Sequence, residues 1–169
     1  ALEPAFRHGH PISSSLIRKL LETGQVEKAS QLLGRPYELS GRVVTGQKLG
    51  QQLGYPTLNL ETKNDLLPPG VFISLTEIMG AVYPSVSNIG VRPTLGGKTT
   101  RIESHLLDVT LKVYGQPVSL LLIKKIRAEK KFSSLQALRE ALAGDISLAR
   151  KFFKGTSGRS LIKARRLDF

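Results

Sequence analysis

Between residues 37 and 126 the chain repeats with the period of β-strands, and no helical segment interrupts it. The strand-like runs are 39–45, 71–78, 81–89, a long and bent 99–113, and 118–126. Strands joined without intervening helices pair antiparallel, and five or more of them favour a small closed barrel. The punctuation agrees. Met79-Gly80 is short enough for a hairpin, Pro68-Pro69-Gly70 makes a rigid turn, and Gly115-Gln116-Pro117 makes another.

Helical periodicity flanks this run. Ser13, Ser14 and Ser15 offer N-caps to a helix bearing Leu16, Ile17, Leu20 and Leu21, which Gly24 ends. Val26, Ala29, Leu32 and Leu33 form a second apolar face before Gly34. A pair this short must dock on something, and a part of the protein outside this chain is the candidate. Downstream, Ser133 and Gln136 stand in a capping-box relation, and Leu135, Leu138 and Leu142 give one apolar stripe. Gly144-Asp145 is expected to break that helix, with Asp145 capping a last one through Ile146, Ala149 and Phe153. From Lys154 onward a basic tail is expected to be poorly anchored.

Composition narrows the chemistry. The 169 residues contain no cysteine, which removes disulfides, thiolate zinc sites and thiol catalysis, and fits a reducing compartment. No run approaches the ~18 apolar residues of a membrane span. No secretory signal is visible, so the expected compartment is the cytoplasm. The first residue is Ala1, which we read as a sign of a trimmed chain. A net charge of +12 predicts anionic partners, whether nucleotide, nucleic acid or an acidic surface. Arg159, Lys163, Arg165 and Arg166 concentrate part of it in the tail, where a solvated basic end is the plain reading.

Three stretches carry candidate chemistry. In residues 41–59, glycines 41, 46, 50 and 54 precede Thr57 and Asn59. Glycine lets backbone amides approach an anion, and two oxygen-bearing side chains two residues apart in extended chain share one face. This suits a phosphate-and-metal loop, although it is neither a P-loop nor a dinucleotide fingerprint, and a long hairpin loop would look similar. In residues 100–107, alternation sends Arg101, Glu103 and His105 to one side, where Glu103 is either a general base or part of a water-facing edge. In residues 126–132, Arg127 is placed to hold a phosphate. Phe132 is placed to face a planar ring or to seal the helix onto the barrel, roles that are compatible. His8-Gly9-His10 is followed directly by Pro11, so we read its likeness to a nucleotidyltransferase H-x-G-H as accidental, and three scattered histidines make a poor zinc site.

Taken jointly, these residues resemble the riboflavin kinase module of bacterial bifunctional FAD synthetases. The matching pieces are Leu33-Gly34-Arg35-Pro36-Tyr37, Gly41-Arg42-Val43-Val44-x-Gly46, and Leu53-Gly54-Tyr55-Pro56-Thr57-Leu58-Asn59. Pro68-Pro69-Gly70-Val71-Phe72 follows, then Asn88-Ile89-Gly90-Val91-Arg92-Pro93-Thr94, Glu103-x-His105-Leu106-Leu107-Asp108, and Ile126-Arg127-x-Glu129-x-x-Phe132. The resemblance implies a mainly β fold, a six-stranded antiparallel Greek-key barrel with a C-terminal helix and a short N-terminal helical pair. It implies ATP-dependent phosphorylation of the riboflavin 5′-hydroxyl to give FMN and ADP. Thr57 and Asn59 would bind Mg²⁺ and the nucleotide phosphates, with Gly46, Lys48 and Gly54 in the loop around the phosphates. Glu103 would be the catalytic base, and Arg127, Glu129 and Phe132 would cover the flavin.

Leu58 stands where the family usually has Ala, Gln51 where a basic residue is common, and Phe72 for a frequent Tyr; Lys48 is a stand-in for the cation missing at Gln51. Ile12-Ser13-Ser14-Ser15-x-x-Arg18 is similar to the last motif of the family's adenylyltransferase module. We therefore read residues 1–34 as a remnant or linker of that absent N-terminal partner, 35–153 as the kinase domain and 154–169 as the tail. Adenylyl transfer is not expected on this chain. Two other readings compete: a basic barrel that binds RNA or single-stranded DNA, and a flavin-binding module without catalysis. The first lacks a basic–aromatic stacking platform in its strands; the second leaves Thr57, Asn59 and Glu103 unexplained.

Overall fold

In the computed structural model the described residues are 6–7, 10–11, 13–47, 49–94 and 97–166. Lys48 and His8 lie outside them. Two short strands, β1 (Phe6–Arg7) and β2 (His10–Pro11), pair with each other. Helices α1 (Ser14–Glu22) and α2 (Val26–Leu33) follow, then β3 (Tyr37–Val44), the single-turn α3 (Leu49–Gln52), and β4 (Leu58–Thr62). Next come β5 (Gly70–Ile78), β6 (Ala81–Thr94), β7 (Gly97–Leu106) and β8 (Pro117–Arg127). Helices α4 (Leu135–Lys154) and α5 (Thr156–Arg166) complete the chain.

Strands β3 to β8 close a six-stranded antiparallel barrel in the order β3-β4-β7-β6-β5-β8. Consecutive strands β5, β6 and β7 pair as neighbours, and β8 returns to lie beside β5, which is the Greek-key order. At the β5–β6 connection Met79 and Gly80 both take left-handed backbone, φ 52° and 72°, as the right-handed twist of a two-residue hairpin requires.

The interior holds Leu39, Val43, Leu58, Leu60, Phe72, Ile89, Ile102 and Leu120. Full burial of a side chain the size of Phe72 stabilises by about 2–3 kcal/mol. The interior also holds the hydroxyls of Ser74, Thr76, Ser85, Ser87 and Ser104, each hydrogen-bonded to two others in a closed ring. β5 is buried along its whole length because α4 covers its outer face. Ile146, Ala149 and Phe153 of α4 pack there on Val71, Ile73, Leu75 and Leu121. A strand covered on both sides carries apolar residues on both: Phe72 and Ile78 face the interior, and Val71, Ile73 and Leu75 face the outer cluster.

The helical pair docks on the barrel itself. Leu21, Val26 and Ala29 continue the interior cluster, and the Lys125 amide donates to Glu27 Oε1 at 3.1 Å.

Several local expectations are corrected. The expected strands 39–45, 81–89 and 99–113 become Tyr37–Val44, Ala81–Thr94 and Gly97–Leu106. Asp108, at φ 62°, turns the chain out of the sheet where a bent continuation was expected. The sixth strand, β4, is only five residues long and was read merely as extended chain. Ser134, one residue beyond Ser133, caps α4 by accepting from the Ala137 amide at 3.1 Å. Helix α4 runs through Gly144-Asp145 without a break, because the Asp145 side chain is held inward by an ion pair. The tail is not loose: α5 packs Leu161 and Ile162 onto the outer cluster, and its Arg165 reaches back to Glu77 on β5 and Glu38 on β3.

Candidate active site

One row of cross-strand neighbours runs round the outside of the barrel. Val44 faces Asn59, Asn59 faces Glu103, Glu103 faces Asn88, Asn88 faces Val71, and Val71 faces Arg127. Their immediate neighbours Val43, Leu58, Leu60, Ile102, Ser104 and Phe72 are turned into the interior, so the row faces outward. With strands ~4.8 Å apart, Asn59, Glu103 and Asn88 span about 10 Å. Glu103 therefore lies outside the barrel, yet directly beside Asn59.

That outer face is roofed on two sides. A cleft of about 330 Å³ is walled by Val86, Asn88 and Glu103 below, by Leu49, Leu53 and Tyr55 from α3 and its loop, and by Leu138, Leu142 and Ile146 from α4. Thr57, Arg101, Arg127, Glu129 and Phe132 also line it. A second groove of about 270 Å³ lies between residues 44–47, Asn59 and residues 100–102, and Arg101 borders both. The apolar stripe of α4 is thereby corrected: Leu138 and Leu142 serve the cleft wall, and Leu135 is exposed.

Thr57 lines the first space together with Leu49, Gly50 and Leu53, and Asn59 lines the second together with Gly46 and Gln47. A methyl group added at Gly46 would land on the Asn59 carboxamide. One added at Gly50 would strike the Tyr55 carbonyl and touch Thr57 Oγ1 at 3.4 Å. Gly41 lies within β3, pressed against β4, and is not part of the loop. Gly54, at φ 86°, turns the chain out of α3; its amide is bonded to Gln51 O, and it lines neither space.

Charges in the cleft are arranged in pairs. Arg101 Nη1 sits 3.4 Å from Glu103 Oε1, both about one-quarter exposed. Arg127 is gripped by Asp145, with Nη2 2.8 Å from Oδ2, and its guanidinium lies 5.5 Å from the Phe132 ring centre. Lys130 approaches the same ring at 5.1 Å. The Glu129 carboxylate lies directly over Gly90, the register partner of Arg101, where any Cβ would displace it. His105 Nδ1 donates to Pro56 O at 2.8 Å, and its ring meets Tyr55 edge-on at 5.8 Å. Burial lowers the His105 pKa, favouring the neutral imidazole, and the bond to Pro56 O ties the ring to the Tyr55-Pro56-Thr57 corner.

Comparison with known proteins completes the picture. Residues 33–153 match the family model described as flavokinase, riboflavin kinase. The chain belongs to the riboflavin kinase family. Among curated relatives it is 41% identical over 149 residues to the bifunctional riboflavin kinase/FMN adenylyltransferase of Escherichia coli K12, covering 86% of this chain and 47% of the relative. It is 40% identical over 147 residues to the Bacillus subtilis protein of the same name, covering 84% and 46%. The chain thus spans about half the length of the curated relatives it matches. A crystal structure described as a macrolide-efflux protein from Streptococcus pneumoniae superposes with TM-score 0.81 at 31% identity, over 88% of this chain and 50% of that one. The riboflavin kinase of Trypanosoma brucei shares the fold, with TM-score 0.52 at 24% identity, over 74% and 81%.

Within this riboflavin kinase domain, Glu103, Thr57, Arg127, Glu129 and Phe132 gather round one cleft, and Asn59 and Gly46 round the adjoining groove. Sequence reasoning gave no role to Asn88, nor to Asp145 as the partner of Arg127. Asn88 stands in a quoted motif, but its position beside Glu103 depends on strand register. Asp145 reads from the sequence as part of a helix break and as the cap of a following helix.

Proposed function

We propose that this domain transfers the γ-phosphoryl group of ATP to the 5′-hydroxyl of riboflavin, with Glu103 as general base. The observation that carries the reading is the position of Glu103: it stands in the outward row between Asn59, which borders the groove, and Asn88, which borders the cleft. ATP would lie in the groove with its phosphates under the amides of the 46–54 loop, and the flavin would occupy the cleft beneath Phe132 and α4. The attacking oxygen would then reach the γ-phosphorus at the boundary, giving up its proton to the Glu103 carboxylate. Phosphoryl transfer asks mainly for alignment and charge neutralisation, and an alcohol needs a base aimed at it. Leu138, Leu142 and Phe132 exclude water from the flavin side.

The donor set suits Mg²⁺. Thr57 offers a hydroxyl, Asn59 an amide oxygen, and one carboxylate lies next to Asn59; a hard cation that retains waters and takes phosphate oxygens needs few protein donors. When bound, such an ion supplies neutralisation of the phosphate charge.

The adenylyl transfer named for the relatives is assigned to the part of those proteins that this chain does not span, and that part is the proposed partner. The cytoplasm is the proposed compartment for an ATP-consuming step of this kind. No helix among the described residues is long and apolar enough to cross a membrane. Nucleic acid is not favoured as a ligand, since Phe72 points into the barrel and the Tyr37 hydroxyl is tied to Leu66 O.

The test is ADP release on mixing the chain with riboflavin, ATP and Mg²⁺. Release is expected to need all three, and Glu103→Gln is expected to lower kcat by about 10²-fold or more. Release that ignores riboflavin would end the kinase reading, and undiminished turnover in the variant would remove Glu103 as base.

A further inference from the structure

Asn88 is the member of the outward row for which the reaction as proposed supplies no task. Its Oδ1 is buried and has no hydrogen-bond partner among the described residues, although the side chain lines the cleft. A buried acceptor left unpaired is uncommon in native proteins, and inside a binding cleft it marks where a ligand must bring a donor. Two of its nearest side chains carry no donor: Val71 faces Asn88 from β5, and Val86 lies two residues away on the same side of β6. On its other flank the cross-strand neighbour is Glu103.

We propose that Asn88 is the residue that recognises the polyol chain of the flavin. Its carboxamide oxygen accepts a hydrogen bond from a hydroxyl on an interior carbon of that chain, while the terminal hydroxyl is presented to Glu103. This rests on the riboflavin kinase reading and adds to it the group that tells a flavin with a hydroxylated side chain from one without.

Spacing selects the polyol over the ring. Directly opposed residues on neighbouring strands stand roughly 5 Å apart. With the terminal hydroxyl at Glu103, the donors within one strand spacing are the hydroxyls on adjacent carbons. The ring N–H of a flavin lies at the far end of the fused rings, well beyond that reach. The support beneath is firm, because Ser87 and Ser104, the register pair next to Asn88 and Glu103, are joined inside the barrel by an Oγ–Oγ hydrogen bond of 3.1 Å. Asn88 and Glu103 are therefore held on one rigid ladder, as discrimination between neighbouring hydroxyls demands.

The test compares riboflavin with two probes that share its ring: lumiflavin, which carries a methyl group in place of the polyol, and a 10-(5-hydroxypentyl) flavin, which keeps only the terminal hydroxyl. Affinities are read from flavin fluorescence, and turnover from ADP release. Asn88→Ala is expected to weaken riboflavin about tenfold, the scale of one lost hydrogen bond. It should leave lumiflavin affinity and the KM for ATP unchanged. The hydroxypentyl flavin should bind the unmodified protein about tenfold more weakly than riboflavin does, a comparison that does not need the variant to fold. Equal weakening of lumiflavin, undiminished riboflavin affinity in the variant, or hydroxypentyl binding as tight as riboflavin would each overturn the assignment. If the unmodified protein neither binds nor phosphorylates riboflavin, the kinase reading itself has failed; if it does both and these contrasts are missing, the role of Asn88 alone has failed.

Discussion

Arg127 and Asp145 form a two-point ion pair across the cleft, with Nε 3.1 Å from both carboxylate oxygens and Nη2 2.8 Å from Oδ2. Nη1 donates to the Ala128 carbonyl at 3.2 Å, so the edge of the guanidinium is already engaged, and its carbon lies 5.5 Å from the Phe132 ring centre. The sequence suggested Arg127 as a phosphate ligand. The geometry also makes it a bracket between the start of the 127–132 segment and α4 through Asp145. Removing the buried partner leaves a largely buried cation unpaired. Asp145→Ala is expected to cost about 2–4 kcal/mol in urea unfolding and to raise the KM for riboflavin more than that for ATP. A stability change within about 0.5 kcal/mol, the scale of an ordinary surface substitution, would show that the pair is not what holds this segment.

Gly46 is the position where the loop lies closest to a site side chain. Because a Cβ there would occupy the space of the Asn59 carboxamide, Gly46→Ala must move either the loop or the amide. The expected result is an increase of about tenfold in the KM for ATP, the scale of a small misalignment, with flavin affinity unchanged. An unchanged KM for ATP would mean that the contact between loop and Asn59 does not shape the nucleotide site.

Asn59 itself is tested through the metal. Asn59→Ala is expected to shift the Mg²⁺ concentration for half-maximal ADP release upward by about tenfold, the order seen when one supporting group is lost from a metal site. Superimposable titrations for variant and parent would take the ligand role from Asn59.

How much of this was visible beforehand depends on whether the determining interaction is local. The barrel was legible because period-two runs without helices between them leave few arrangements, and the helical pair because its capping residues are adjacent in sequence. Glu103, Thr57 and Asn59 were found because their motifs are contiguous. The row that aligns Asn59 with Glu103 and Asn88 was hidden, because register belongs to strand pairs separated by up to 44 residues, as for Asn59 and Glu103. Gly144-Asp145 carries a true local signal for a helix end, and it is outweighed by the Arg127 ion pair 18 residues away. Likewise, the tail reads as a loose basic end until Arg165 is seen to meet Glu77 across 88 residues.

His105 gives the fold a pH dependence of known sign. Burial holds its pKa below the ordinary value of 6.5; the hydrogen bond to Pro56 opposes this, Arg150 adds to it, and Asp108 opposes it. Well above pH 6.5 the imidazole is neutral in both folded and unfolded chains and adds no slope. Below that, the unfolded chain takes up the proton first, so stability falls as the pH drops towards the folded value. His105→Gln keeps a donor for the Pro56 carbonyl but does not titrate. Urea unfolding at pH 7 and pH 5 should therefore show the parent losing more stability on acidification than the variant. Equal losses, or a greater loss in the variant, would mean that His105 is not buried as a neutral ring.

The hydroxyl ring inside the barrel predicts that a change preserving volume is still costly. Ser74 bonds Ser85 at 2.8 Å and Ser87 at 2.7 Å, while Thr76 bonds Ser85 and Ser104 at 2.9 Å each. Ser87 and Ser104 close the circle. Each hydroxyl can donate once and accept, so the ring satisfies groups that no water reaches, and it joins β5, β6 and β7 beneath Asn88 and Glu103. Thr76→Val keeps the shape and removes two hydrogen bonds, leaving Ser85 and Ser104 each short of a neighbour. The expected loss is about 1–3 kcal/mol of unfolding free energy, the cost of unmet buried hydroxyls, accompanied by a fall in kcat as the β6–β7 ladder under Glu103 loosens. Because Ser85 also has the Ser74 carbonyl within reach at 3.1 Å, Ser104 is the partner most affected. Adding Ser104→Ala to Thr76→Val should therefore cost less than the two single losses summed. Strict additivity would mean that the ring does not act as a unit.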